Sequence, residues 1–89
     1  MIETRLDVIN KQGLHARAAA KVVSVASRYN SSIQVQHNGQ TIDAKSIMGL
    51  LMIGAAKGSS VTFRVEGADE EQAVAELTDL FARRFDEGE

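Results

Sequence analysis

The sequence predicts an α+β fold, a four-stranded antiparallel sheet with three helices on one face in the order β-α-β-β-α-β-α. Two observations predict it. Short segments alternate apolar with polar residues, the period of a strand buried on one side only. The longer segments between and after them carry apolar residues at helical spacing behind recognisable capping residues. With 89 residues and no linker, repeat or low-complexity stretch, the chain reads as one domain, 1–89, able to bury roughly 60–65% of its unfolded surface without staples.

The elements follow in order. Between Ile2 and Ile9, Thr4, Leu6 and Val8 alternate with Glu3, Arg5 and Asp7, a half-buried strand. Gly13 permits a tight turn, and the alanine-rich segment from Ala16 reads as helix, so His15 falls near the N-cap. Ala16, Ala19, Ala20 and Val23, with Ala26 or Ser27, form a narrow face for close packing on a sheet, and the helix is expected to end near Tyr29-Asn30. Ser32 to His37 alternates again, Asn38-Gly39 signals a hairpin, and Gln40 to Asp43 returns as a short strand. Ser46 then caps a short second helix that is apolar nearly all round, with Gly54 or Gly58 at its exit. Ser60 to Glu66 is the fourth strand, its inner face Val61, Phe63 and Val65. Asp69 is expected to cap the last helix, with Gln72 at the capping-box position, Glu70 and Glu71 at the positive end and Arg83 and Arg84 at the negative end. Ala73, Val74, Leu77, Phe81 and Phe85 form its expected buried stripe, with Leu80 at the margin.

Composition removes several function classes. Without cysteine there is no disulfide framework, thiolate metal site or cysteine nucleophile, which suits a reducing compartment, and the expected location is the cytoplasm. The longest apolar stretch, Ile47 to Ala56, contains Gly49 and Gly54 and falls short of the ~20 residues of a membrane span. A net charge of −2 and four aromatic residues argue against nucleic acid as a partner. His37 lies at a strand end with no carboxylate-histidine spacing, so neither a metal nor a cofactor is expected.

The remaining chemistry lies at His15 and Arg17. The first N–H groups of a helix have no intrahelical partner, and the helix start carries partial positive charge, so the N–H groups of Ala16, Arg17 and Ala18 make an anion site beside the imidazole. A neutral imidazole is a good nucleophile toward a phosphoryl group, and the helix end stabilises the dianion it acquires. Arg17, at the second helical position, presents a planar fork suited to phosphate oxygens. Ser46 has a sufficient explanation as a cap worth ~1 kcal/mol. On so short a second helix, the apolar residues from Ile47 to Ile53 cannot all face one core, and an exposed patch beside His15 would be a recognition surface.

Gly13-Leu14-His15-Ala16-Arg17 together with Lys45-Ser46-Ile47-Met48-Gly49-Leu50-Leu51 resembles the HPr-type phosphocarriers of the phosphoenolpyruvate-dependent phosphotransferase system. Ala56-Lys57-Gly58 and Gly67-Ala68-Asp69-Glu70 agree, so the likeness spans the chain. It implies an open-faced β-sandwich whose His15 accepts a phosphoryl group through Nδ1 from enzyme I, with Arg17 assisting, and passes it to EIIA domains. It also favours Met48, Leu51 and Met52, next to Ile47, as the docking patch, and likens Ser46 to serines modified by a dedicated kinase. Such a protein is a monomeric relay for sugar uptake or regulation rather than an enzyme with its own turnover. Two features qualify the match. Ala18 stands where the family commonly has proline, and the run from His15 to Ala20 with Phe85-Asp86-Glu87 leans toward NPr, the nitrogen-branch relative. A contrasting reading is a small α/β regulatory module that acts by contact alone, with His15 never modified.

Overall fold

The computed structural model describes residues 1–88. Strands β1 (Ile2–Asp7), β2 (Ser32–His37), β3 (Gln40–Asp43) and β4 (Ser60–Glu66) form one antiparallel sheet in the order β1-β4-β2-β3. β4 is central, pairing Leu6 with Val61 on one side and Val35 with Phe63 on the other. The alternation read from the sequence is the alternation observed: Leu6, Ile33, Val35, Val61, Phe63 and Val65 are buried, while Glu3, Arg5, Ser32 and Gln34 are exposed. At the β2–β3 hairpin Asn38 and Gly39 both take positive φ (50° and 80°), the geometry a two-residue turn needs.

Helices α1 (Ala16–Ala26), α2 (Ile47–Ile53) and α3 (Glu70–Ala82) complete the fold, α1 packing against both of the others. The core joins Ala18, Ala19, Val22 and Val25 of α1, Leu50 and Ile53 of α2, and Ala73, Leu77, Leu80 and Phe81 of α3 to the sheet's inner face. Burying such a set against a sheet accounts for most of the helices' stability, since segments this short are marginal alone.

Four details differ from expectation. The buried face of α1 is Ala18, Ala19, Val22, Val25 and Ala26, not the stripe through Ala16, Ala20 and Val23. Apolar residues occupy so many positions of this helix that spacing alone does not select a face; packing does. α1 also stops at Ala26, because the N–H groups of Arg28 and Tyr29 turn back to Val25 and Ala26 in tighter, three-residue bonds. At α3 no capping box forms: Asp69 is the N-cap residue, but its carboxylate accepts from the Ser31 hydroxyl and from the N–H groups of Asn30 and Ser31, while Glu70 accepts from Gly67 N–H. Finally, Leu80 is central to the buried stripe, and Phe85 reaches the core from beyond the helix.

That last difference shapes the molecule most. After Ala82 the chain makes a turn in which Arg84, Phe85 and Asp86 take φ of 54°, 53° and 63°, left-handed conformations costing roughly 1–2 kcal/mol per non-glycine residue. Phe85 holds the turn by packing edge-on against Phe81 with ring centroids 4.7 Å apart, itself edge-on to Phe63 at 5.5 Å. Lys21 of α1 clamps it from outside, donating to the Phe85 carbonyl at 2.9 Å and to the Asp86 carboxylate at 3.3 Å.

Candidate functional site at the start of helix α1

The turn that delivers His15 is built around Gly13. Its φ is +68°, and a Cβ there would lie 2.5 Å from the Ala55 carbonyl oxygen, so any side chain is excluded twice. Leu14 N–H donates to that same carbonyl at 2.8 Å, which ties the turn to the loop leaving α2. Buried Asn10 sits beneath it and donates through Nδ2 to the Gly13 carbonyl at 2.8 Å.

His15 is the N-cap of α1, in extended backbone conformation. Its carbonyl accepts from Ala19 N–H at 2.8 Å, closing the first helical turn. Its Nδ1 accepts from Arg17 N–H at 3.3 Å, a long bond made by an unusual capping residue. The imidazole therefore presents a lone pair at Nδ1 to the unpaired N–H groups of the helix start. The other ring nitrogen, Nε2, meets the Glu87 carboxylate. Glu87 is held by Asn10, whose Nδ2 donates to its Oε1 at 2.9 Å. Burial opposes ionisation of the Glu87 carboxyl, but hydrogen bonds from Asn10 and His15 and the positive charge of Arg17 outweigh it and keep the carboxyl below its ordinary value.

Arg17 is exposed and lines a shallow groove with Lys11, Gln12, Asp86 and Glu87. Ala16 is exposed beside it, whereas Ala18 is fully buried. Ser46 caps α2 as anticipated, accepting from Gly49 N–H at 3.1 Å, and Gly54 ends that helix in left-handed conformation. The expected excess of apolar surface on α2 is present: Ile47 and Leu51 are exposed, and Met48 and Met52 are exposed to 66% and 74%. His37 lies elsewhere, on β2, donating from Nδ1 to the Ser60 carbonyl at 3.0 Å. No group of residues suited to a metal occurs among the described residues, and none of their helices is long and apolar enough to cross a membrane.

Asn10 and Glu87 escaped the sequence reading as site residues. Asn10 sits in a polar turn where asparagine is unremarked. Glu87 is brought to His15 by three successive non-glycine residues in a conformation that side chains rarely adopt, and no periodicity or motif announces that turn.

Comparison with known proteins identifies the family. A family model described as PTS HPr component phosphorylation site matches residues 2–83. The phosphocarrier protein HPr of Cupriavidus necator is 46% identical over 89 residues, covering all of both chains, and that of Neisseria meningitidis serogroup A is 45% identical over the same span. The crystal structure of HPr-C-His from Thermoanaerobacter tengcongensis superposes with a TM-score of 0.94 at 42% identity, covering 98% of each chain. The four-stranded sheet and three helices are thus the open-faced sandwich of those proteins, and the chain belongs to the HPr family, the phosphocarriers of the phosphotransferase system.

Proposed function

We propose that His15 is the residue that carries the phosphoryl group, receiving it on Nδ1 from phosphorylated enzyme I and surrendering it to an EIIA-type domain. The observation that carries this reading is the placement of the Nδ1 lone pair at the start of α1, 3.3 Å from Arg17 N–H. In transfer, the Nδ1 lone pair attacks phosphorus, the donor's bond to phosphorus breaks, and the pair in that bond returns to the donor. The onward step repeats this with Nδ1 as leaving group. Much of the catalysis is positioning and charge stabilisation shared with the partner. On this side the dianion is met by the helix start, by the N–H groups of Ala16 and Arg17 with that of Ala18 behind them, and by the Arg17 guanidinium. Attack frees the Arg17 N–H from Nδ1 and leaves it available to a phosphoryl oxygen.

Ile47, Met48, Leu51 and Met52 form the docking patch. Their exposure supports this role, and methionine-rich surface repacks readily against more than one partner. Ser46, already a cap, is also a regulatory phosphorylation site for a serine kinase and phosphorylase. A phosphate there is tolerated at a helix start while placing charge on the docking face. The chain works as a single HPr-like domain and a monomer, in the cytoplasm, where its partners are met.

Incubation with enzyme I and phosphoenolpyruvate tests the central claim. An acid-labile, alkali-stable adduct that disappears in His15→Ala is expected. An adduct that survives that substitution, or none with any cognate enzyme I, overturns it.

A further inference from the structure

The Arg84–Gly88 segment is held against the phosphocarrier site by interactions that relay at His15 does not by itself require. Asn10 has no exposed surface, and both hydrogen bonds of its Nδ2 are spent there, one fixing the Gly13 turn and one fixing Glu87. Phe85 is equally buried, and Lys21 ties the turn behind it to α1. Three strained residues are maintained by these anchors, and what they deliver is one carboxylate to one ring nitrogen.

From this arrangement the structure assigns Glu87 as the positioning residue of His15: its carboxylate, oriented by Asn10, accepts the Nε2 proton and so reserves the Nδ1 lone pair for phosphoryl transfer. The inference rests on the reading of His15 as the phosphoryl carrier and adds what decides which nitrogen reacts. A carboxylate has only acceptors to offer, so it selects the tautomer with the proton on Nε2. The Arg17 N–H on the other side favours the same tautomer, because a proton on Nδ1 would face that donor, but its bond is long at 3.3 Å and the charged Glu87 carboxylate is the stronger bias. When Nδ1 takes the phosphoryl group, the proton on Nε2 stays where it is and the ring becomes cationic. The Glu87 carboxylate then lies against that charge, and no proton has to leave during the step.

A consequence specific to this geometry separates positioning from general stabilisation. The two donors at Glu87, Asn10 Nδ2–H and His15 Nε2–H, need two acceptors. Glutamine supplies one oxygen and an NH2 group. Asn10 keeps its orientation through the Gly13 carbonyl, so the glutamine oxygen turns to Asn10 and its NH2 turns to His15. An NH2 donor at Nε2 selects the opposite tautomer and places the proton on Nδ1, the nitrogen that has to attack. Alanine at the same position merely releases the ring. Glu87→Gln, the closer isostere, is therefore the more damaging change.

The experiment has two readouts on the full chain. Nitrogen-15 NMR of His15 in the neutral state needs no partner: wild type shows the proton on Nε2, Glu87→Ala a mixture, and Glu87→Gln a shift of population toward Nδ1–H. Rates of phosphoryl acceptance from enzyme I follow the order wild type, Glu87→Ala, Glu87→Gln, with about tenfold between the extremes, the scale of one hydrogen bond to a charged group. Asn10 also holds the Gly13 turn, so the Glu87 variants and not an Asn10 variant isolate the carboxylate. An unchanged tautomer in Glu87→Gln, or acceptance by Glu87→Gln as fast as by Glu87→Ala, overturns the inference. Failure of the wild type itself to accept a phosphoryl group overturns the relay reading instead, and the tautomer measurement stands apart from that outcome.

Discussion

Helices α1 and α2 begin alike and end up with different work. Each starts from an extended residue whose side chain accepts a backbone N–H of its own first turn, His15 from Arg17 at 3.3 Å and Ser46 from Gly49 at 3.1 Å. The serine makes the shorter bond from a residue type that capping favours. Histidine is the poorer cap, but its ring has a second nitrogen, and that nitrogen is engaged by Glu87 from 72 residues away. A helix start by itself offers positive potential and unpaired donors. On the proposed relay, the contact from outside the helix is what sets the His15 start apart from the Ser46 start.

The sharpest break of this comparison exchanges the two caps for alanine. His15→Ala is expected to abolish phosphoryl acceptance, while Ser46→Ala keeps it, as read by the acid-labile adduct. Next in size is the exposed apolar face of α2. Leu51→Asp, placed on the exposed face of α2, is expected to slow transfer by roughly tenfold or more, as loss of a central interface contact does, with an unchanged circular dichroism spectrum. Equal rates would remove α2 from the docking surface.

The start of α3 adds a pH-dependent case. The Asp69 carboxyl is held below its ordinary value by the Ser31 hydroxyl first, then by the N–H groups of Asn30 and Ser31. A depressed carboxyl contributes stability above the unfolded value of about 3.9, and that contribution disappears as pH falls through the folded value. Asp69→Asn is therefore expected to be less stable than wild type at pH 7, with the gap closing toward pH 2 in urea titrations. A gap independent of pH would show that the lost bonds, not the charge, matter.

Smaller effects test the caps as structure. Ser46→Ala is expected to cost about 1 kcal/mol, seen as a lower urea midpoint at unchanged slope. Ala18→Pro is the mildest change, since proline suits a first helical turn. It is expected to alter the lifetime of the phosphorylated form by a few-fold through loss of one N–H donor, and an identical lifetime would exclude that N–H from holding the phosphate.

Much of the fold was legible because each strand obeys a period of two against one core. Leu6, Val35 and Phe63 could hardly face elsewhere once their neighbours are polar. The two helix starts were equally legible: Gly13 ahead of His15, and Ser46 ahead of an apolar run, are local signals with local causes. The failures share one character. The face of α1 depended on which alanines meet α2 and α3, the expected capping box yielded to Asp69 reaching across to Ser31, and Glu87 depended on a turn stabilised by Phe85 in the core. All three are decided by partners distant in sequence, and a pattern along the chain has no access to them.

The distance along the chain between the two sides of the imidazole bears on how the molecule forms. Contacts between residues far apart in sequence carry a loop-closure cost and tend to be won late in folding. The bond between His15 and Glu87 spans nearly the whole polypeptide, and the sheet needs its own long closure of Asp7 on Ser60. A chain still emerging during synthesis, or one frayed after Ala82, has the imidazole but lacks its contact with Glu87. The bond from Glu87 to the imidazole therefore exists only once the two ends of the chain are brought together.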